Sequence, residues 1–403
     1  MKKVLIFSLN YYPFVGGAEV AIKEITDRIA PEDIEFHLVA YRFDGNLPRT
    51  ERVGNVTVHR VGWAPRGMTF GQSFSAVAYL GKVLYVPLAT SKALVLHHRE
   101  RFDGAWAMMT YMVFPLVLMR AVGVHIPYVL TLQEGDPFEH VFDRWRIRLV
   151  SPLLFSGIRN ASTVQAISSF LGEWACRAGF KGTLEIVPNG VETARFAEPT
   201  GTEAHAAARR ALGLVEGDVA LVTTSRLVRK NAVDDVIRAL ALLSENVHFV
   251  IYGIGPDEGD LRRLAKEQGV ESRTHFMGQI SHADMPRALK ACDIFIRPSR
   301  SEGMGNSFIE AMAAELPVIA TQEGGIADFL FDARRNPDRE PTGWAVDKDA
   351  PEQIAGAVED IMEHPEQVAR VKATAKKLAF EKYDWSLIAA RMRALFDRLL
   401  ANG

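Results

Sequence analysis

Ser301-Glu302-Gly303-Met304-Gly305-Asn306-Ser307-Phe308-Ile309-Glu310-Ala311-Met312 is the stretch from which the rest of the chain can be read. The apolar run Ile294-Phe295-Ile296 enters it and stops at Pro298-Ser299, and a helical pattern leaves it. Between the two, glycines and small polar residues leave backbone N–H groups bare at a helix start, which is a seat for an anion, phosphate foremost. Glu302 and Glu310 flank that seat. Carboxylates so close to a phosphate repel it, so they suit hydroxyl groups carried on the same molecule, as a ribose and a sugar would supply. The stretch points to a nucleotide-sugar site.

The chain has 403 residues, enough for two or more domains with ample cores. Its net charge of −2 gives no global electrostatic case for nucleic acid as a partner. Cys176 and Cys292 have neither metal-ligand spacing nor the pattern of a disulfide framework, so no metal is expected and a reducing cytoplasm fits. No segment is long and apolar enough to span a bilayer. Val4-Leu5-Ile6-Phe7 after Met1-Lys2-Lys3 is too short for a signal peptide, broken by Asn10 and Pro13, and reads as a first buried strand.

Strands are predicted at Val4–Ser8, Phe36–Ala40, Val56–Arg60, Ala105–Met109, Tyr128–Leu132, Ser162–Ile167 and Leu184–Val187, with helices over Glu19–Ile29 and Phe74–His97. This β-α rhythm implies a parallel sheet covered by helices. It restarts after Pro188-Asn189-Gly190 and an Ala/Gly/charge-rich stretch, Thr200–Gly217, where the domain junction is expected. Further strands are predicted at Val219–Thr224, Val247–Tyr252, Thr274–Phe276, Ile294–Arg297 and Pro317–Ala320. The expectation is an α/β chain with two Rossmann-like domains, 1–195 and 196–380, facing across a cleft lined by strand carboxyl ends. A last helix within 381–403 shares Trp385, Ile388, Met392, Leu395 and Leu399 on one face.

Four loops at strand ends carry candidate chemistry. Gly16-Gly17 before a helix lets backbone approach a ligand, although a tight turn is the plainer reading. Ser225-Arg226-Leu227-Val228-Arg229-Lys230-Asn231 places Arg226 and Lys230 to reach a diphosphate, one as a fork and one as a point charge. Gly253-Ile254-Gly255 does not complete a dinucleotide fingerprint, so it argues for no NAD. The fourth loop is the Glu302–Glu310 segment, continued by Gly324-Gly325. His97 and His98 are adjacent with no partner acid and read as surface positions.

In order and spacing these loops resemble those of retaining glycosyltransferases of the GT-B fold, family 4. The resemblance also takes in Val187-Pro188-Asn189-Gly190-Val191-Glu192 and Tyr383-Asp384-Trp385-Ser386 and is nearly end to end. It implies that Arg226 and Lys230 neutralise the donor diphosphate, that Glu310 grips the ribose and that Glu302 touches the donor sugar. Gly303, Met304, Gly305, Asn306 and Ser307 would line sugar and phosphate. Gly278 and Ile280, in Phe276-Met277-Gly278-Gln279-Ile280, would lie near the base, and Gly16 and Gly17 near the diphosphate. Gln133 stands where the family often places a His, and can hydrogen-bond a sugar hydroxyl without carrying charge. Glu134 and Asp136 are candidate acceptor or sugar contacts, or acids capping a helix.

The expected partners are a nucleotide-sugar donor, as substrate rather than cofactor, and a glycan or lipid-linked acceptor. The resemblance implies metal-independent front-face transfer in place of the carboxylate nucleophile of retaining glycosidases. A nucleotide-sugar epimerase of GT-B shape and a non-catalytic nucleotide-sugar-binding protein are the alternatives. Phe70–Leu96 is unusually apolar, and Phe142, Trp145 and Leu149 fall at helical spacing among arginines. A core-facing helix with solvated arginines is the favoured reading of the latter; peripheral contact with an anionic membrane at its inner face is the other.

Overall fold

The computed structural model describes residues 1–67 and 76–401, and divides into two α/β units. The first is Met1–Asn189 with Trp385–Gly403; the second is Gly190–Asp384. The predicted junction over Thr200–Gly217 is corrected: that stretch holds a helix, Thr202–Ala211, inside the second unit, and the division falls at Asn189/Gly190. Ala-rich sequence with scattered charge has good helix propensity and need not be a linker.

The first unit is built on β1 (Lys2–Phe7), β2 (Ile34–Tyr41), β3 (Thr50–Val53), β4 (Val56–Val61), β5 (Gly104–Met108), β6 (Tyr128–Leu132), β7 (Thr163–Ala166) and β8 (Thr183–Ile186). Their order is β3-β4-β2-β1-β5-β6-β7-β8. Every pair is parallel except β3–β4, an antiparallel hairpin at the sheet edge. Sequence reading missed β3 because Thr50-Glu51-Arg52-Val53 is short and half polar, as edge strands are. Val4 pairs Phe36 on one side and Gly104 on the other, so β1 lies at the centre, buried on both faces.

The second unit holds β9 (Val219–Thr224), β10 (Val247–Tyr252), β11 (Thr274–Gly278), β12 (Ile294–Arg297), β13 (Val318–Ala320) and β14 (Trp344–Ala345). They form an all-parallel sheet in the order β11-β10-β9-β12-β13-β14. In both units the chain runs outward one way from a central strand and then returns to build the other half. The reversal falls between β1 and β5 in the first and between β9 and β12 in the second, and at such points the loops leaving the carboxyl ends diverge and leave room for a ligand.

The last helix, Trp385–Ala401, packs on the first unit. Trp385, Ile388, Met392, Leu395 and Leu399 are all buried, as their spacing predicted. Phe396 adds an edge-on contact to Trp106 at 5.2 Å and one to Phe36 at 5.9 Å, tying the chain's end to β5 and β2.

Phe70–Ser75 of the apolar stretch lies outside the described residues; the rest belongs to a long helix, Ala76–Glu100. The favoured reading of 142–149 is corrected. Phe142 ends a short helix, Phe138–Phe142, and is buried against Phe138, Phe155 and Trp174. The chain breaks at Asp143-Arg144, and a new helix, Trp145–Arg159, begins with Trp145 69% and Leu149 76% exposed. The break separates Phe142 from the face it was expected to share.

Phe396→Ala removes a fully buried ring from this packing and is expected to cost about 3–5 kcal/mol in chemical denaturation. A loss under about 1 kcal/mol would contradict the helix's role in the first unit's core.

Candidate functional site

β9 and β12 are neighbours whose carboxyl-end loops part company: one leads to Ser225–Asn231, the other to Pro298–Gly305. The first loop is laid over the β10 loop by backbone bonds from Ser225 N to Tyr252 O and from Leu227 N to Ile254 O, both 3.0 Å. A Cβ on Gly253, at φ +149°, would stand 1.8 Å from Ser225 O, and one on Gly255 would stand 2.1 Å from Leu227 O. The Gly-x-Gly fragment is therefore the floor on which the Arg226 loop rests. Asn231 is buried and donates from Nδ2 to Arg226 O at 2.6 Å, closing the loop by its side chain. Arg226 is exposed and Lys230 half-buried.

The second loop is joined to the first by Arg300. Its N–H donates to Lys230 O at 2.7 Å, and its guanidinium reaches Arg229 O (2.6 Å), Asp234 (2.8 and 3.0 Å), Asp235 (2.7 Å) and Asp349 (2.6 Å). Planar forks suit such multiple recognition. The backbone of Lys230 is thereby fixed against the segment that carries Glu302.

Arg297, the last residue of β12, is buried beneath this segment. It pairs with Glu302, donates to Ser307 Oγ at 2.8 Å and Ser299 Oγ at 3.2 Å, reaches Thr224 O of β9 at 3.4 Å and lies 4.3 Å from the centre of the Phe308 ring. Glu302 also accepts from Gly303 N at 3.2 Å, so its carboxylate is engaged within the loop. Gly305, at φ +86°, starts the Asn306–Ala313 helix, and no side chain caps it. A Cβ there would meet Arg297 Nη2 at 2.7 Å and the Phe308 ring at 2.6 Å, so only glycine fits. Phe308 N donates to Gly305 O at 3.2 Å, which leaves the amides of Asn306 and Ser307 as the helix-start donors without an intrahelical partner. Asn306 Nδ2 donates to Gly190 O at 3.4 Å.

Glu310, one turn into the helix, is buried, and desolvation pushes its carboxyl up to about 7 against the lowering charge of Arg297. Three neighbouring hydroxyls at the end of β9, those of Thr223, Thr224 and Ser225, are buried with no partner. Successive strand residues face opposite sides of the sheet, so these orphaned hydroxyls do not converge on one place. Gly278 ends β11 at φ +73° and accepts from Gly253 N at 2.7 Å, which ties it to the floor of the Arg226 loop; Ile280 follows, half-buried. Met277 and Ile254 beside it are exposed.

In the first unit, Gly16 precedes the Gly17–Asp27 helix and donates its N–H to Glu19 Oε2 at 2.7 Å. Burial raises the Glu19 carboxyl while that amide and its own oppose the shift. A Cβ on Gly17 would lie 3.5 Å from Gln133 Nε2, so Gln133 flanks the glycine loop, and its Oε1 is buried without a partner. Of the two readings of Glu134, the geometry agrees with the capping one, since Thr110 opens the short Thr110–Met112 helix. Glu134 is buried, and its two oxygens accept from Thr110 N (2.6 Å) and Gln133 N (2.9 Å), which pins the β5 and β6 loops together. Asp136 is exposed. Of the histidines, His98 is exposed, while His97 is half-buried and stacks on Phe102 at 6.2 Å.

Thus Arg226, Lys230, Glu302, the Gly303–Ser307 turn and Glu310 share the second unit's β9/β12 fork, while Gly16, Gly17 and Gln133 share the carboxyl end of the first unit's sheet. Arg297 and Arg300 were missed. The signal for Arg297 was there: a charged residue closing an otherwise apolar strand.

Residues 205–378 match the glycosyl transferases group 1 family, and residues 15–195 match glycosyltransferase family 4. A GDP-mannose-dependent alpha-(1-6)-phosphatidylinositol monomannoside mannosyltransferase of Mycolicibacterium smegmatis is 30% identical over 249 residues, 59% of this chain and 63% of that protein. The chain thus spans less than two thirds of that relative's length. A 2-deoxystreptamine N-acetyl-D-glucosaminyltransferase of Streptomyces fradiae is 27% identical over 78% of this chain and 77% of its own length. Among solved structures, sucrose-phosphate synthase from Thermosynechococcus elongatus superposes with a TM-score of 0.81 at 18% identity over 100% of both chains. Anabaena HepE in complex with UDP and glucose gives 0.76 at 19% identity over 99% of this chain and 100% of its own. The chain belongs to the group 1, family 4 glycosyltransferases and has their GT-B type of fold.

Proposed function

We propose that this chain moves a hexose-type sugar from a nucleoside-diphosphate sugar to a glycan or lipid-linked acceptor, with retention of configuration and without a metal ion. The observation that carries the reading is the convergence at the β9/β12 fork of the Arg226–Lys230 loop, the uncapped Gly305 helix start and the buried Glu310. The donor diphosphate sits on the helix amides, with Arg226 and Lys230 over it. The ribose hydroxyls donate to the Glu310 carboxylate. Glu302, already held by Arg297, fixes the turn that meets the donor sugar. As the bond from the anomeric carbon to the phosphate oxygen breaks, negative charge grows on the diphosphate, where fixed donors stabilise it. The acceptor hydroxyl attacks the same face of the anomeric carbon, and its proton passes to the departing phosphate oxygen, so no covalent sugar–enzyme bond forms. Gln133, beside Gly17 with an orphaned oxygen, is the first unit's candidate for a sugar or acceptor hydroxyl.

The relatives support this in kind: one is named as GDP-mannose-dependent on a phosphatidylinositol mannoside, and a solved structure of the same fold holds UDP and glucose. The proposal extends to location, in the cytoplasm against the inner face of the membrane. No described helix is long and apolar enough to cross a bilayer. The Trp145–Arg159 helix, however, opens with exposed Trp145, Leu149 and Leu153 among Arg144, Arg146 and Arg148, and contains no acidic residue. An aromatic and apolar face set among arginines suits an anionic lipid surface.

Arg226→Ala or Lys230→Ala should each lower donor-dependent diphosphate release about 10²–10³-fold while thermal unfolding is unchanged. Near-normal turnover in both would end the assignment, and a nucleotide-linked sugar altered without acceptor would favour an epimerase. Since the Glu310 carboxyl is raised to about 7, it is ionised above that pH and able to accept from both ribose hydroxyls. Nucleoside diphosphate affinity, followed by calorimetry, should therefore weaken as pH falls through 7, and Glu310→Gln should bind more weakly and lose that dependence. An identical pH profile in the two proteins would contradict the ribose role. In sedimentation with vesicles, the protein should pellet with phosphatidylglycerol-containing bilayers at low salt, and Trp145→Ser/Leu149→Ser should not. Absence of wild-type binding would remove the membrane contact.

A further inference from the structure

We infer that Arg297 is a positioning residue of the donor seat, whose guanidinium turns the Ser307 hydroxyl toward the leaving diphosphate and holds Glu302 in place beneath it. The inference rests on the reading that a diphosphate occupies the β9/β12 fork.

A buried guanidinium is costly to desolvate, and an apolar residue of similar volume often serves stability as well or better. Arg297 ends a strand that is otherwise Ile294-Phe295-Ile296, yet its charge is buried and fully employed: Glu302, Ser307 Oγ, Ser299 Oγ, Thr224 O and the face of Phe308 surround it. It lies directly under Gly305, the residue that starts the Asn306–Ala313 helix. A cation below a helix N-terminus works against the helix dipole and adds to the positive potential there. Glu302 offsets that charge, and an incoming anion would meet it together with the free amides.

The hydrogen-bond direction makes the point sharper. A serine hydroxyl has one proton and two lone pairs. Ser307 Oγ accepts from Arg297 Nη1 at 2.8 Å, so one lone pair faces inward and its proton is left to point away from the guanidinium. Arg297 thereby presets a hydroxyl donor alongside the backbone donors, before a ligand arrives. The same charge acts on Glu310, whose carboxyl it holds lower than burial alone would. One guanidinium thus supports both the leaving-group seat and the ionised form of the carboxylate assigned to the ribose.

Calorimetry with UDP, GDP and ADP across pH 6–8 tests this, together with kcat and KM for diphosphate release with a panel of nucleotide sugars, on the wild type, Arg297→Met, Arg297→Lys, Ser307→Ala and the double variants. Arg297→Met should lower kcat about 10²-fold with a smaller change in KM, and should move the pH midpoint of binding upward. Arg297→Lys should restore the midpoint, because charge returns, but not kcat, because one ammonium cannot reproduce the fork. Ser307→Ala alone should lower kcat, but should add little in either Arg297 background, since the two act as a unit. Should Arg297→Met fail to fold, the Arg297→Lys and Ser307→Ala pair carries the same test. Additive losses, or a folded Arg297→Met with the wild-type midpoint, overturn the inference alone. A wild type that binds none of the nucleoside diphosphates overturns the diphosphate reading and this inference with it.

Discussion

One backbone hydrogen bond, from Arg300 N to Lys230 O, joins the two loops on which the chemistry proposed for the second unit depends. Without it and the Arg300 guanidinium's bond to Arg229 O, the Arg226–Lys230 segment and the Glu302–Ser307 turn would be independent excursions from neighbouring strands. With it, and with the Arg300 guanidinium fastened to Asp234, Asp235 and Asp349, they form one rigid frame at the fork of a parallel sheet. The sheet dictates the rest. Parallel strands put all their carboxyl-end loops on one edge, and the reversal of strand order between β9 and β12 keeps the two loops from closing over each other.

Charge is distributed unevenly over that frame. Arg297 and Arg300 are spent on internal acids, whereas Arg226 stands exposed. The buried pairs act as scaffold, and the proposed function gives the ligand to Arg226 and Lys230. This division explains why a carboxylate can lie near a phosphate seat: Glu302 is neutralised by Arg297, and Glu310 is shielded in the core one turn away.

Much of this was legible before any coordinates. The apolar run ending at Pro298, the glycines of the turn and the eight-residue spacing of Glu302 and Glu310 place an anion seat at a helix start, because strand exit, glycine flexibility and helical period are local properties. The terminal helix was legible for the same reason, since Trp385 through Leu399 recur at helical spacing. What escaped depends on tertiary direction. Sequence shows that Arg297 is charged, but not that Phe308 and Ser307 fold back to receive it. For Glu134 the sequence left a ligand contact and a helix cap open, because the two amides that claim it come from separate strand ends. The face of the Trp145 helix was misjudged because periodicity states which residues share a face, but not which way that face turns, and a two-residue break rotated it out of the core. For the Gly253-Ile254-Gly255 fragment the sequence showed only that it completes no dinucleotide fingerprint; that it supports the loop above it is a tertiary fact.

In the proposed function, a sugar-linked diphosphate rests on the amides that open the Asn306–Ala313 helix, beneath Arg226 and Lys230. A crystal structure with a bound nucleoside diphosphate tests it most directly. The expected result is phosphate oxygens within hydrogen-bonding distance of the Asn306 or Ser307 amide and of Lys230 Nζ, with the ribose at Glu310. A diphosphate seated on any other face of the second unit, with Lys230 and the Gly305 turn bare, would contradict it.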